Sequence, residues 1–432
     1  MKRPELKQGN GENMKTLIAF IVVFGLIVLV HEFGHFYVAK KAGVRIREFA
    51  IGMGPKLFQT RKNGTTYTLR ILPVGGYVRM AGRGEDESDS LRPGMTVTVV
   101  ETDGLVTRIN QSDQVELVGG RPFIIDDADL VNDLYLQGYW SDNEEELVKL
   151  AVDHDATMIE ADGTEVLIAP ADTQFQSAKL WQRALINFAG PFNNFVLTLV
   201  LFIGLAFALP GVTTTTIKAV RPDSPAALAG LKPGDTITAV NQQKVTSWQG
   251  LQGKIQPAQN KRLVLTYQRQ HQSKKAVVKP QAVEIQGNKI GQIGIMPATT
   301  TALGARLKYA FQATGQAALQ IWRAIVNLVQ DFSLNKLGGP VAIYKSTEQA
   351  SDYGLLSIVA FTAMLSINLG MMNLLPIPAL DGGKLVMNGI EAITGHPVSE
   401  KIEVALTVVG ALVLVVLMVL VTGNDILRYF IN

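Results

Sequence analysis

Four long stretches without a charged side chain constrain this 432-residue chain more than anything else in it. Thr16–Val30, Ala184–Ile217, Gly354–Leu380 and Val404–Asn424 contain no Lys, Arg, Asp or Glu, and ordinary charged segments lie between them. Only 18% of the residues are charged and the mean hydropathy is +0.19, so no strongly polar surface balances these runs. Four such runs suit membrane helices far better than the interior of one water-soluble core. The first run is short: a helix of that length rises about 22 Å, against a hydrocarbon core of roughly 30 Å. Its span must therefore continue through His31–Ala39 and carry polar groups into the membrane. It lacks a small-x-small cleavage site, which argues against a removed signal peptide. Residues 1–13 read as a leader or an added extension, with Met14-Lys15 as a natural start.

The expected fold class is thus a multi-pass α-helical membrane protein with four transmembrane helices, at residues 14–39, 183–212, 354–383 and 404–424. The chain has no cysteine, which excludes disulfides, thiolate zinc sites and cysteine nucleophiles. With 40 Lys+Arg against 37 Asp+Glu, nothing in the charge balance suggests a nucleic-acid partner.

The loops set the orientation. Lys40 to Arg83 holds ten Lys/Arg and one acid, Glu48, which places residues 40–83 in the cytoplasm. The segment between spans two and three, about Thr213–Ser351, then lies outside. Spans one and three run in the same direction, so His31 and His35 near the end of one and Asp381 at the end of the other share a side and a depth. No assumption about metals enters that statement.

His31-Glu32-Phe33-Gly34-His35 carries the chemistry. Two histidines four apart share a helix face and can offer two imidazoles to one ion. Glu32 beside them is suited to take a proton from an activated water. Ionisable groups inside a span are costly, so function is the default reading. A catalytic zinc site needs a third protein ligand and an open position. No third histidine follows at a useful spacing; Glu48 is a local candidate, and Asp381 is the better one because topology already brings it to the right depth. Two prolines in Asn373–Gly383 interrupt the helix before Asp381, and unwound backbone at membrane depth survives only against protein or a wet cavity. His154, His271 and His396 have no ligand partner at useful spacing and read as surface residues.

HEFGH at 31–35 together with NLLPIPALDGG at 373–383 resembles the site-2 protease family of intramembrane zinc metalloproteases. GGYVRM at 75–80, AGPFNNF at 189–195, SPAALAGLKPGD at 224–235 and LGGPVAI at 337–343 match as well, so the likeness covers most of residues 14–432 except about 84–180. The resemblance implies Zn2+ held by His31, His35 and Asp381, with Glu32 as general base. It points to Asn373 for substrate contact, to Asn194 as a polar neighbour in the same substrate-binding set, and to Gly75, Gly76 and Tyr77 in a membrane-associated β-region that meets the substrate strand. Substrates would be transmembrane proteins such as anti-sigma factors or signal-peptide remnants, already trimmed by a site-1 protease, in a bacterial plasma (inner) membrane. The active site would lie near the cytoplasmic side.

The remaining segments are read from their patterns. Thr66–Met80 has β-rich runs around Pro73 and Gly75-Gly76 and reads as a hairpin or re-entrant loop. Residues 214–296 read as short strands at Thr215–Val220, Thr236–Asn241, Arg262–Arg269, Ala276–Val283 and Gly291–Ile295, and SPAALAGLKPGD is similar to bacterial PDZ domains, giving one extracytoplasmic PDZ-like module. Residues 305–350 read as amphipathic helices on the membrane surface. Residues 84–180 open with the acidic run Glu85, Asp86, Glu87 and Asp89 and read as an acidic cytoplasmic insertion with short β-like pieces and no assigned task. Two further functions compete. A metal-ion transporter would use the same three ligands but needs neither the adjacent Glu nor a PDZ-like module, and no inverted repeat is apparent. An inactive PDZ scaffold in the membrane has no use for three buried ionisable ligands.

Overall fold

The computed structural model describes residues 9–82, 91–285 and 288–431. The acidic run at 85–89 and residues 1–8 of the leader lie outside them. The chain forms two compact units, Met1–Thr198 with Gln320–Asn432, and Leu199–Leu319.

In the larger unit, helix α1 (Gly9–Lys41) runs unbroken through the His-Glu pair, and β1 (Ile46–Lys62) and β2 (Thr65–Met80) follow. Residues 66–69 and 76–79 flank 48–51 and run in opposite directions, so the chain reverses between them, around Pro73 and Gly75-Gly76 as the sequence suggested. The β1–β2 hairpin has an earlier turn as well, at Asn63-Gly64, both with positive φ (50° and 74°), the pairing preferred by two-residue hairpin loops. Both strands are long enough to be used twice: residues 48–51 take 76–79 as partners and also 66–69, and 58–62 pair with 65–69.

The segment read as an acidic insertion with short β-like pieces is a second sheet with its own core. Strands β3 (Thr96–Thr102), β4 (Leu105–Asn110), β5 (Arg121–Asp129), β6 (Tyr135–Trp140), β7 (Asn143–Ile159) and β8 (Glu165–Leu167) pair in the order β4-β3-β5-β6-β7-β8, and β4 also meets β7. Val97, Val106, Ile109, Phe123, Ile125 and Leu136 alternate inward along these strands and are buried together.

Helix α2 (Leu180–Ala208) returns through the membrane region. In the smaller unit a sheet of β9 (Val212–Val220), β10 (Thr236–Val240), β11 (Gln243–Lys244), β12 (Leu263–Arg269), β13 (Gln272–Val278) and β16 (Ile295–Thr300) encloses Ile217, Ile237, Leu251 and Leu265 with helices α3 (Pro225–Leu228) and α4 (Trp248–Ile255). Ser224 and Ser247 cap the two helices through their side-chain oxygens. The strand read as Ala276–Val283 is divided between β13 and β14 (Gln281–Ile285), and Gly291–Ile295 between β15 (Asn288–Gln292) and β16. Pro280, just before β14, supplies no N–H to a ladder.

The amphipathic stretch after the sheet is one long helix, α5 (Leu303–Gln330), and a separate α6 (Pro340–Asp352). Asp425 of α9 (Glu400–Ile426) accepts from the backbone N–H groups of Gly339 and Ala342 at 2.9 Å each, so a buried carboxylate caps the start of α6. The third span differs from expectation. Helix α7 (Leu355–Asn373) stops before the prolines, and Asp381 does not end it but opens a new helix, α8 (Asp381–Thr394).

Among the described residues four helices are long and apolar enough to cross a membrane: Met14–Lys41, Leu180–Ala208, Leu355–Asn373 and Glu400–Ile431. Along α9, Val408, Leu412, Val416 and Val419 are exposed, a face that lipid covers and water would not tolerate.

Candidate active site

Helical spacing does the first part of the assembly. His31 and His35 project from one face of α1 with their Nε2 atoms 3.3 Å apart. Each ring is held at its other nitrogen by α2. His35 Nδ1 donates to the carbonyl of Ile186 at 2.7 Å, which leaves the Nε2 lone pair for the cavity, and the Asn194 amide lies 3.1 Å from His31 Nδ1. The close approach needs Gly190: a Cβ there would sit 2.2 Å from His35 Nε2.

The third donor comes from far along the chain. Backbone 374–380 holds Ala379 at φ 78°, a strained value for a residue with a Cβ, and delivers Asp381. Its Oδ2 lies 3.3 Å from both imidazole Nε2 atoms. That oxygen is buried and has no hydrogen-bond partner. Tetrahedral bonds of about 2.0–2.1 Å hold neighbouring donors about 3.3 Å apart, so these three atoms have the separation zinc requires. Among the described residues His31, His35 and Asp381 form the one group of three such side chains whose ligand atoms converge. Glu48, the local alternative, is not with them: Tyr77 donates to its Oε2 at 2.7 Å and Arg70 to its Oε1 at 3.1 Å.

The donors open onto a cavity of about 960 Å³, which Glu32, Asn373, Gly75, Gly76 and Tyr77 also line. Gly76 packs so near the base that a Cβ there would fall 3.1 Å from Glu32 Cγ and 2.8 Å from the Ala50 carbonyl oxygen. Gly75 turns the chain with φ 78°. The Tyr77 hydroxyl is committed to Glu48 and Arg70, so this residue braces the hairpin. Burial pushes the Tyr77 phenol up to about 12, and the Glu48 carboxylate adds to it. Burial also raises Glu48, but hydrogen bonds and the Arg70 charge outweigh it and hold that carboxyl below its usual range. Asn194 needs correction as a substrate contact. It is fully buried, absent from the cavity lining, and serves His31 instead.

Several cavity residues carry no signal in any short motif. Arg183 of α2 pairs with Glu391 of α8 at 2.5 Å, and Asn187 and Lys384 line the same space. Glu160, Asp162 and Thr164 reach it from the segment that had no assigned task. His154 stays at the surface beside Asp155 and Asp172.

Comparison with known proteins agrees with this geometry. Residues 19–417 match Peptidase family M50. The chain belongs to that family. It is 50% identical over 422 residues to the probable protease eep of Enterococcus faecalis, covering 96% of this chain and 100% of that one. A Lactococcus lactis protein named as a zinc metalloprotease is 44% identical over 435 residues, covering 97% of this chain and 100% of that one. Among solved structures, the PDZ domain of an SdrC-like protein from Listeria innocua aligns at 26% identity with a TM-score of 0.18, covering 20% of this chain and 92% of that domain. As an M50 peptidase of the site-2 type, the protein is a membrane-embedded zinc metalloendopeptidase that acts on membrane proteins. Nothing in the comparisons favours a transporter or a scaffold.

Proposed function

We propose that His31, His35 and Asp381 hold the zinc ion and that Glu32 is the general base for peptide hydrolysis inside the membrane. The observation that carries this reading is the buried Asp381 oxygen, 3.3 Å from two imidazole nitrogens and without a hydrogen bond, in a cavity that Glu32 shares. A zinc ion held there would supply Lewis acidity, lowering the pKa of a bound water toward about 7. Glu32 takes the proton of the attacking water and hands it to the leaving amide nitrogen as the C–N bond breaks. His35 keeps its Nδ1 proton on the Ile186 carbonyl throughout, and Asn194 fixes the plane of His31. Asn373 lines the cavity on the side of the unwound backbone, where it can hydrogen-bond an extended substrate.

A substrate helix must unwind before its peptide bonds can be reached. The 76–80 limb of β2 pairs with 46–51 on one edge, and no other strand among the described residues takes its second edge; strand addition there would hold the opened segment beside Glu32. The ten basic residues of the 40–83 loop support a cytoplasmic position for this end of the site and four crossings in a bacterial plasma membrane. The strand and helix make-up of residues 212–300 supports a PDZ-like module, which the charge of the 40–83 loop puts outside, and the family favours substrates already trimmed by a site-1 protease.

The test compares wild type with Glu32→Gln on one membrane substrate whose ectodomain has been removed, scoring cleavage within its span. The variant keeps the three metal donors. Expected is a loss of about 10²–10⁴-fold in kcat with zinc content unchanged. Equal cleavage by both proteins would remove Glu32 from the mechanism.

A further inference from the structure

The sheet β3–β8 is joined to the hairpin by a row of ion pairs that converges on one turn. Glu160, directly after β7, is buried and holds Arg79 of β2: Nη1 donates to Oε2 at 3.2 Å, and Nη2 stands in ion-pair distance of Oε1 at 3.0 Å. Arg47 of β1, also buried, stands 3.8 Å from the same Oε1. Two residues on, Asp162 takes Lys56 from the far part of β1 at 2.7 Å, and Thr164 takes the same ammonium. The turn is rigid in itself: Glu160 N–H donates to the Thr164 carbonyl, Gly163 N–H to the Glu160 carbonyl, and Thr164 N–H to Asp162 Oδ1. Just beyond it, Glu165 pairs with Arg61 at 2.8 Å, and its carbonyl accepts from the Thr66 hydroxyl.

The place of this turn matters as much as its bonds. Arg79, Lys56, Glu160, Asp162 and Thr164 line the cavity that contains Glu32 and Asp381. Arg79 belongs to the 76–80 limb, and two residues before it Tyr77 lines the same cavity, beside Gly76 at the Glu32 side chain. A carboxylate that anchors Arg79 from below the sheet therefore sets where that limb stands relative to the base. A charge-assisted hydrogen bond to a buried carboxylate, with further cations close to it, is screened less than an exposed pair and so holds position better.

We propose that the turn Glu160–Thr164 is a positioning element for the cleavage reaction: by gripping β2 through Arg79 and β1 through Arg47 and Lys56, it fixes the substrate-facing limb 76–80 at its working distance from Glu32. The segment between β2 and α2 thus acquires a task, that of an abutment for the active-site wall. The inference rests on the reading of Glu32 and the 76–80 limb given above. Misplacing a reacting group by about 1 Å costs up to roughly 10²-fold, so loosening the grip has a measurable consequence even where the metal site is untouched.

The experiment uses the full chain in proteoliposomes with one trimmed membrane substrate. It compares wild type, Glu160→Gln, Arg79→Gln, the double variant, and the milder Lys56→Met, whose partner Asp162 is half exposed. The readouts are kcat, KM, zinc content, and the cleaved bond determined by mass spectrometry. Expected are unchanged zinc, a fall in kcat/KM of about 10- to 100-fold for Glu160→Gln, additional cleavage at neighbouring bonds, and a double variant no worse than the poorer single one. A smaller shift in the same sense is expected for Lys56→Met, so the inference stays testable if the buried variants fold poorly. A single unshifted cleavage position with kcat/KM unchanged would overturn the inference, as would losses that simply add in the double variant. If wild type cleaves and Glu32→Gln does not, such an outcome removes the positioning role alone. If wild type and Glu32→Gln cleave equally, the protease reading falls and this inference falls with it.

Discussion

Asp381 and Glu160 are both buried carboxylates, 9% and 6% exposed, and they are satisfied in opposite ways. Glu160 is met by two guanidiniums of the chain itself, Arg79 and Arg47. Asp381 is met by two imidazoles and, among the described residues, by no guanidinium or ammonium in ion-pair distance. Lys384, one turn along α8, lines the same cavity but makes no ion pair with it. A buried charge must be neutralised at short range. Where the chain provides a guanidinium the site is structural; where it provides only imidazoles at tetrahedral spacing, the cation comes from outside. The difference teaches how to tell a scaffold carboxylate from a metal-binding one without seeing the metal.

The largest expected effect breaks the comparison on the Asp381 side. Asp381→Asn removes the charged donor, and zinc retained by the purified full chain should fall to a small fraction of one equivalent while cleavage drops roughly 10³-fold or more. In the zinc-free protein the same change should cost less thermal stability than in the loaded one, because the metal's contribution is already gone. Metal analysis and thermal unfolding check both halves. Full zinc occupancy in the variant would refute the assignment of Asp381 as donor.

The opposite behaviour is expected of Glu160→Leu. It removes a charged partner of Arg79 and of the buried Arg47, and destabilisation of up to about 3–5 kcal/mol should follow whether or not zinc is present. Denaturant unfolding with and without a chelator measures this. A metal-dependent loss would mean that the two carboxylates are less distinct than their surroundings suggest.

These two sites also differ in how far the sequence revealed them. The spacing of His31 and His35 is a helix property, and the direction of spans one and three brought Asp381 to the same depth, so the metal cluster was legible from topology. Glu160 and Arg79 are distant in sequence, in strands whose pairing no short motif encodes. Two turn signals do lie in that region. Asn63-Gly64 closes the β1–β2 hairpin, and Asp103-Gly104, with φ 53° and 80°, closes β3–β4. Reading them would have shown that the hairpin takes in residues 46–62 and that the next segment is a sheet. Asn194 was found as a residue but not in its role, because an asparagine in a span serves a substrate and a metal ligand equally well until its distance to His31 is known.

A smaller effect sharpens the metal side. Asn194→Leu leaves all three donors in place and removes only the support of His31. Outer partners of metal-bound histidines are worth about 10- to 100-fold in metal affinity or activity, so chelator competition should show zinc leaving that much more readily. An unchanged affinity would reduce Asn194 to a helix-packing residue, held by the Ser366 and Thr198 hydroxyls at its carbonyl.

The smallest expected effect adds a third buried carboxylate, in the other unit. Asp235 is 1% exposed and takes the Arg269 guanidinium through two bonds, at 2.7 and 2.8 Å, and the Lys232 N–H at 2.8 Å. Burial raises its pKa, but the Arg269 bonds and that N–H outweigh it, so the carboxyl ionises below its usual range. A carboxyl lowered in the folded state stabilises it fully above the unfolded value, and that contribution disappears as pH falls through the folded one, so the loss should begin below about pH 5. Amide-exchange protection factors for 236–240 and 263–269 in the full chain should therefore fall on acidification in wild type. In Asp235→Asn they should start lower at neutral pH and lose part of that dependence. Zinc content should be the same in both, since the charge compensating this carboxylate is its own arginine. If acid weakened these strands equally in the variant, the carboxylate–arginine pair would not be what holds them, and proximity to a guanidinium would no longer suffice to mark a buried acid as structural.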